Sequence, residues 1–256
     1  MPFFSVCIET YNRGKTIYNT IKSVSNQSCK DYELILIDNA STDNTLDEIR
    51  RALTDFDFTS YYVTFNLRHL PNISNWNEPL KHAKGKYVLM LEGDDIIRNN
   101  HLEKAYRILK DSDYGIYQSC KTSHKEGKIF FIDYLKMLYG CKFAPAPSDA
   151  IFIRTDREGK PFFYDVDSYS YCPELDLYIR IAMQCFHAYQ NNSNTVMRNH
   201  TNRLSLEEKI LYAIRDSHVM LEKYSYYFPK ELYCTAFIRL LLKDVFYKMR
   251  LLCKKK

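Results

Sequence analysis

Glycine is scarce in this chain: seven in 256 residues, none of them in a G-x-G-x-x-G or a G-x-x-x-x-G-K-[ST] run. The dinucleotide fingerprint and the P-loop are thereby excluded, since both bring backbone amides onto phosphate through glycine. A nucleotide bound here would have to be held by side chains and a metal. The eight cysteines are scattered singly with no C-x-x-C pair, which argues against a structural zinc site and against a redox motif. Such usage suits a reduced, cytoplasmic setting. No apolar run approaches the roughly 18 residues that span a bilayer. Met1 is followed at once by a strand-like run without a basic leader, so no signal peptide is expected. A single large domain, or one domain with a short appendage, fits the length.

A net positive charge is also missing from most of the chain. The net charge is +5, but residues 239–256 alone carry +6, with seven basic residues against Asp244, so the other 238 residues sum to −1. The body is therefore not a nucleic-acid binder. The segment 230–253 has helical periodicity, with Ile238, Leu241, Leu242, Val245, Met249 and Leu252 on one side. Two readings stay open for it. A basic amphipathic helix lies on an anionic membrane surface; a helix packed on the body leaves a solvated lysine tail.

What is present begins with alternating elements. Residues 3–9 read as a strand, 10–14 as a turn, and 15–27 as an amphipathic helix with Ile17, Ile21 and Val24 spaced by four and three. Residues 32–37 read as a buried strand that ends in the polar run 38–43. That run is a helix-start signal for Leu46, Ile49 and Leu53. Residues 61–65 are a third strand. This order predicts parallel pairing with right-handed crossovers, so Thr10, Tyr11, Asp38 and Asn39 should converge on one sheet edge. Further on, the pattern predicts a helix over 79–84, a strand over 87–91, a helix over 101–110 and a strand over 114–119. A helix over 129–138, a strand over 149–153, a helix from 172, a strand over 188–198 and a helix over 206–224 complete it.

The apolar run Tyr87 to Leu91 ends in Glu92, Asp94 and Asp95. In open α/β sheets the carboxyl edge is where ligands bind. Three carboxylates so close together repel one another, and hard oxygen ligands suit Mg²⁺ or Mn²⁺. The plainer reading is a solvated acidic turn leading into a helix. A second acidic pair, Glu174 and Asp176, opens the helix after Pro173. It is either dipole complementation, worth under ~1 kcal/mol, or a general base at the mouth of a site. Trp76, the single tryptophan, is a core or staple residue or a wall of the ligand site. His200 is a surface histidine unless a bound metal recruits it.

The order of these pieces resembles family 2 glycosyltransferases, the inverting enzymes of the GT-A fold. The resemblance is carried by Ser5-Val-Cys-Ile-Glu-Thr-Tyr-Asn-Arg13, Tyr32-Glu-Leu-Ile-Leu-Ile-Asp-Asn-Ala-Ser-Thr-Asp43, Asn75-Trp-Asn77 and Glu92-Gly-Asp-Asp95. It continues in Pro173-Glu-Leu-Asp-Leu-Tyr-Ile-Arg180 and Arg198-Asn-His-Thr-Asn-Arg-Leu-Ser205, so it spans about residues 3–205. It implies a GT-A domain over 1–205 with a mostly parallel sheet flanked by helices, and a helical extension over 206–256 ending in the basic tail.

The resemblance further implies a nucleotide-sugar donor, UDP-sugar first, bound by Thr10, Tyr11, Asn12, Asp38, Asn39, Asn75, Trp76, Asn77 and Asp94. Mn²⁺ or Mg²⁺ would sit on Asp95 as direct ligand, with Asp94 and His200. Glu174 falls at the family's catalytic acid, and Asp176 takes its place if the register slips. The acceptor would be a glycan or lipid-linked saccharide in surface polysaccharide or lipopolysaccharide synthesis. The enzyme would be a hexosyl- or N-acetylhexosaminyltransferase, cytoplasmic and peripheral on the inner face of the membrane if residues 239–256 bind it. Three positions depart from the family: Asn39 where aspartate is common, Glu92 as first acid of the metal turn, and Pro173 before Glu174. The departures at Asn39 and Glu92 keep a second reading alive, a non-catalytic nucleotide-sugar or glycan-binding domain on the same fold.

Overall fold

The computed structural model describes residues 1–119, 125–130, 133, 149–169, 173–185, 187–192, 196–198, 206–227, 230 and 234. The chain starts β1 (Phe4–Thr10), α1 (Ile17–Ser25), β2 (Tyr32–Asp38), α2 (Thr45–Asp55), β3 (Tyr61–Phe65), α3 (Asn72–Leu80) and β4 (Tyr87–Glu92). After β5 (Asp95–Ile97) and α4 (His101–Leu109) come β6 (Ile116–Ser119), β7 (Gly127–Phe130) and β8 (Ala150–Ile153). Then follow α5 (Pro173–Cys185), β9 (His187–Asn191), β10 (Val196–Arg198) and α6 (Leu206–Lys223).

Eight strands form one sheet in the order β3-β2-β1-β4-β8-β6-β9-β7, and β5 pairs with β10 in a second, two-stranded sheet. From β3 to β4 all pairings are parallel, and β6 runs parallel to β9. β8 is antiparallel to both its neighbours, and β7 to β9. Alternate side chains of a strand face opposite sides of the sheet. Val6, Ile8, Leu34, Leu36, Leu89 and Leu91 enter one core with α1, α2 and α4. Cys7, Ile35, Ile37, Val88 and Met90 enter the other, with Leu177, Tyr178 and Ile181 of α5 and Met220 and Leu221 of α6. A strand segment buried on both faces is apolar wherever its side chains find no polar partner, which is why residues 34–37 of β2 and 87–91 of β4 read as unbroken apolar runs.

The entry of β4 beside β1 is fixed by a buried carboxylate. Glu33 Oε1 accepts from Ser5 Oγ at 2.6 Å, Lys84 N at 2.6 Å and Gly85 N at 3.1 Å. A methyl group at Gly85 would lie 2.5 Å from the backbone of Phe4 and Ser5, so only glycine lets the strands close there.

Besides β5, a short strand not expected after the acidic turn, three elements differ from the sequence expectation. The helix expected at 79–84 is α3, which starts at Asn72 and closes at Leu80. Asparagine is a poor helix former, but Asn75 and Asn77 are held by tertiary bonds that outweigh propensity. Residues 127–130, where the expected 129–138 helix begins, form an edge strand on β9; residues 134–138 lie outside the described set. The single strand expected over 188–198 is two strands in different sheets. Residues 239–256 and His200 also lie outside the described residues. Among the described residues no helix is long and apolar enough to cross a membrane.

Candidate active site

Parallel strands end on one side of a sheet, and the loops after β1 and β2 are laced together there. Asn39 N donates to Thr10 O at 2.8 Å. Asn12, at φ 51°, takes the left-handed conformation that asparagine tolerates best among residues with a side chain. That conformation aims its amide N–H at Ser41 Oγ, 2.9 Å, while its Oδ1 accepts from Thr42 N at 2.8 Å. Asp38 holds Ser41 through both carboxylate oxygens, and Arg13 N reaches Thr45 Oγ1 at 2.8 Å.

Asn39 is spent on the chain itself. Its Oδ1 accepts from Asn66 Nδ2 and Leu70 N, both at 2.9 Å, and its Nδ2 donates to Leu70 O at 2.9 Å. The 66–70 loop thus folds back over the edge. There the ring of His69 packs on Tyr11 with centroids 4.1 Å apart. Asp38, Asn39 and Asn12 build the rim, Thr10 is buried beneath it, and Tyr11 and His69 furnish its surface. His69 was not among the residues foreseen.

At the end of β4 the acids are ordered by their own turn. Glu92 N donates to Asp95 Oδ2 at 3.0 Å, and Thr16 Oγ1 donates to Gly93 O at 2.9 Å. A methyl group at Gly93 would overlap the Thr10 side chain, so this turn lies directly against the end of β1. Asp94 is 2% exposed; its Oδ2 lies 3.2 Å from Arg13 Nε. Its Oδ1 is buried without a hydrogen-bond partner among the described residues, and so is Thr10 Oγ1.

Such uncompensated oxygens fit a hard divalent cation better than a closed structural turn. Among the described residues no group of three His, Cys, Asp or Glu side chains forms a complete cage. Mg²⁺-class ions commonly use one or two carboxylates and take their other ligands from substrate phosphate and water. The two aspartates fit that use. β10 ends at Arg198 in register with Asp95; His200 lies outside the described residues.

Glu9 and Glu92 are register partners on β1 and β4, on the same face of the sheet. Asn75 Nδ2 donates to Glu9 Oε2 at 2.8 Å, and its Oδ1 accepts from Asn66 at 2.9 Å. Trp76 hydrogen-bonds the same carboxylate, and its ring meets Tyr164 edge-on at 5.3 Å. Asn77 brackets the Tyr164 backbone, accepting from its N–H at 2.8 Å and donating to its carbonyl at 3.0 Å. Glu9 was read only as the last residue of a strand; a charge closing an apolar run was the available clue.

Burial, and next the Glu92 charge, push the Glu9 carboxyl up from 4.5 to about 7, against the Asn75 and Trp76 hydrogen bonds. The folded protein therefore holds this proton more tightly than the unfolded chain. Its contribution to stability is complete below about pH 4.5 and is lost as pH rises through about 7. Glu9→Gln keeps an acceptor for Asn75 and removes the charge. Its melting temperature should match wild type near pH 5 and exceed it by roughly 3 °C at pH 8. A lower value at pH 8 would contradict this assignment.

Glu174 and Asp176 both sit in the first turn of α5, and both are buried. Their surroundings differ. Tyr164 shares a core with Leu177 and Tyr178 of α5, with Trp76 and Leu175 packed against it, so the start of α5 lies on the Trp76–Tyr164 side of the sheet; burial and then the Glu174 charge drive the Tyr164 hydroxyl well above its ordinary range. Asp176 is saturated. Its Oδ1 accepts from Tyr224 Oη at 2.6 Å, Lys223 Nζ at 2.8 Å and Tyr169 Oη at 3.1 Å, and its Oδ2 from Arg180 Nε at 2.7 Å.

This knot ties α5 to the end of α6, and Lys223 extends it to Asp165 at 3.0 Å. Removing one partner of a buried charge network typically costs about 3–5 kcal/mol. Asp176→Ala should lower the melting temperature by roughly 10 °C, read by thermal unfolding. A drop below about 2 °C would show that the knot is not structural.

Residues 5–167 match the profile of Glycosyl transferase family 2. A Campylobacter jejuni GalNAc(5)-diNAcBac-PP-undecaprenol beta-1,3-glucosyltransferase is 31% identical over 129 residues, covering 50% of this chain and 41% of that protein. The chain spans less than two thirds of the length of the curated relatives first matched. The crystal structure of S. aureus TarS 1-349 in complex with UDP-GlcNAc superimposes with a TM-score of 0.63 at 17% identity, over 85% of this chain and 66% of that one. The mannosyltransferase PcManGT from Pyrobaculum calidifontis, in complex with GDP-Man and Mn²⁺, does so with a TM-score of 0.65 at 18% identity, over 96% and 70%. At such identities these two likenesses speak for the fold alone. The mostly parallel sheet with helices on both faces is that of the GT-A transferases, and the match over most of its length makes this chain a member of glycosyl transferase family 2.

Proposed function

We propose that the protein is an inverting glycosyltransferase that moves a sugar from a nucleoside diphosphate, UDP first, to a hydroxyl of a glycan or lipid-linked saccharide in surface polysaccharide synthesis. Support comes from the names of its relatives and from one observation above all. Two carboxylate groups of different character serve the same sheet: Asp94 and Asp95 at the end of β4, and Glu174 at the start of α5.

In this reading Tyr11 and His69 receive the base, and the rim built by Asn12, Asp38 and Asn39 holds them in place. Thr10 and Asp94 meet the ribose and diphosphate side. Asn75, Trp76 and Asn77 shape the wall next to the transferred sugar. Asp95, with Asp94 and His200, would hold Mn²⁺ or Mg²⁺, which when bound supplies a Lewis acid for the charge on the departing diphosphate.

Glu174 takes the proton of the acceptor hydroxyl as that oxygen attacks the anomeric carbon from the face opposite the leaving group. The new C–O bond forms, the bond to diphosphate breaks, and the nucleoside diphosphate leaves with the electron pair. Asp176 is unsuited to this work, since four donors already occupy its oxygens. Residues 1–205 carry the chemistry. Residues 206–256 support it: α6 buttresses α5 through Asp176, and the basic segment 239–256 rests on anionic lipid at the inner face of the membrane.

Release of nucleoside diphosphate from UDP-, GDP- and dTDP-sugars, with lipid-linked saccharide acceptors and with or without EDTA, tests the reading. One donor should turn over, with dependence on acceptor and divalent ion. No release from any pairing by folded protein would overturn it. Sedimentation with phosphatidylglycerol vesicles tests the tail, and equal binding without residues 239–256 would remove it from the account.

A further inference from the structure

Arg13 stands where the three loops of the site meet. Its N–H is held by Thr45, and its carbonyl accepts from Thr16 N and Ile17 N, both at 2.9 Å. A methyl at Gly93 would lie 3.1 Å from Arg13 Cγ, so the stem of the side chain lies along the acidic turn. The backbone is thus pinned at the start of α1, while the charged end is used sparingly. Among the described residues its guanidinium makes one ion pair, Nε to Asp94 Oδ2 at 3.2 Å. A guanidinium has five N–H donors in a planar fork, and that fork matches phosphate oxygens two at a time.

Asp94 is buried, and a buried carboxylate without a cation is costly. The free protein meets that cost with Arg13. A divalent ion on Asp94 would face the positive charge of Arg13 at the same carboxylate, so the two cannot both be held well there. The diphosphate of a donor would bring negative charge to the same place.

We propose that Arg13 is an exchangeable counter-ion: it neutralises Asp94 while the site is empty and transfers its guanidinium to the donor's diphosphate when donor and divalent ion bind together. This rests on the donor site described under the proposed function. It gives the protein a reason to bind metal weakly alone and well with donor, since Asp94 is released only when Arg13 has another anion to hold.

The test is a pair of affinities measured on the full chain and on Arg13→Gln, with Mn²⁺ alone followed by electron paramagnetic resonance of the free ion, and UDP in saturating Mn²⁺ followed by calorimetry. The effects should have opposite signs: Mn²⁺ alone binds roughly tenfold more tightly to the variant, and UDP roughly tenfold more weakly. Arg13→Lys keeps the charge but loses the fork. It should leave Mn²⁺ affinity within about twofold of wild type and weaken UDP by a smaller factor, and it decides the matter if the Gln variant does not fold. A merely structural Arg13 would weaken both ligands together, and that result, or no change in either, overturns the exchange while leaving the donor site standing. If wild type binds no UDP at all, the donor-site reading fails and the exchange fails with it.

Discussion

Glu174→Gln is expected to lower turnover by on the order of a thousandfold, with the affinity for donor unchanged. The amide keeps the shape of the side chain in its buried place at the first turn of α5, but it cannot accept a proton. The loss should therefore appear in the rate of transfer and not in donor binding or melting temperature. Single-turnover kinetics with saturating donor and acceptor, beside calorimetric donor titration, separate the two. The contrast with Asp176 sharpens the result. Asp176→Asn should lose activity only as far as it loses folded protein, because that carboxylate is enclosed by Tyr169, Arg180, Lys223 and Tyr224. Unimpaired transfer by the Gln variant would remove Glu174 as the base.

Asp95→Asn should abolish the divalent-dependent part of donor binding and cut turnover by at least about a hundredfold, the size expected when several kcal/mol of charge stabilisation at the leaving group is lost. Asn retains an oxygen that can accept the Glu92 N–H, so the turn after β4 keeps its shape. The comparison to make is donor affinity with Mn²⁺ and with EDTA. Wild type should show a large difference and the variant almost none. An equal difference in both would place the metal elsewhere.

The first half of the fold was legible because its physics is local. Apolar runs such as 34–37 and 87–91 can be buried on both faces only inside a sheet, and the helices between the strands force parallel pairing. Parallel strands end alike, so the meeting of the loops after Thr10 and Asp38 could be read directly. The division of residues 188–198 between two sheets could not, since a short strand's partner lies far away in sequence and β5 offers only three residues to pair with.

The site shows the same boundary. Which residues reach the sheet edge was legible; what each side chain spends itself on was not. Asn39 bonds to Leu70, Asn75 to Glu9 and Asn77 to Tyr164, over 31, 66 and 87 residues of chain. No local pattern encodes such partners. They explain why three asparagines that invite a ligand-binding reading also hold the scaffold. Glu9, Arg13 and His69 escaped notice for the opposite reason. Each is an ordinary strand end or loop residue until the fold sets it beside Glu92, Asp94 or Tyr11.

The most direct test of the account is a thermal-shift panel of UDP-, GDP- and dTDP-sugars, each with and without Mn²⁺. A ligand raises the unfolding midpoint only if it binds the folded state better than the unfolded one. The account predicts that one donor raises the midpoint, UDP-sugars first, and that the rise depends on Mn²⁺ and vanishes in Asp95→Asn. A folded sample that no nucleotide-sugar stabilises, with or without the metal, would contradict it.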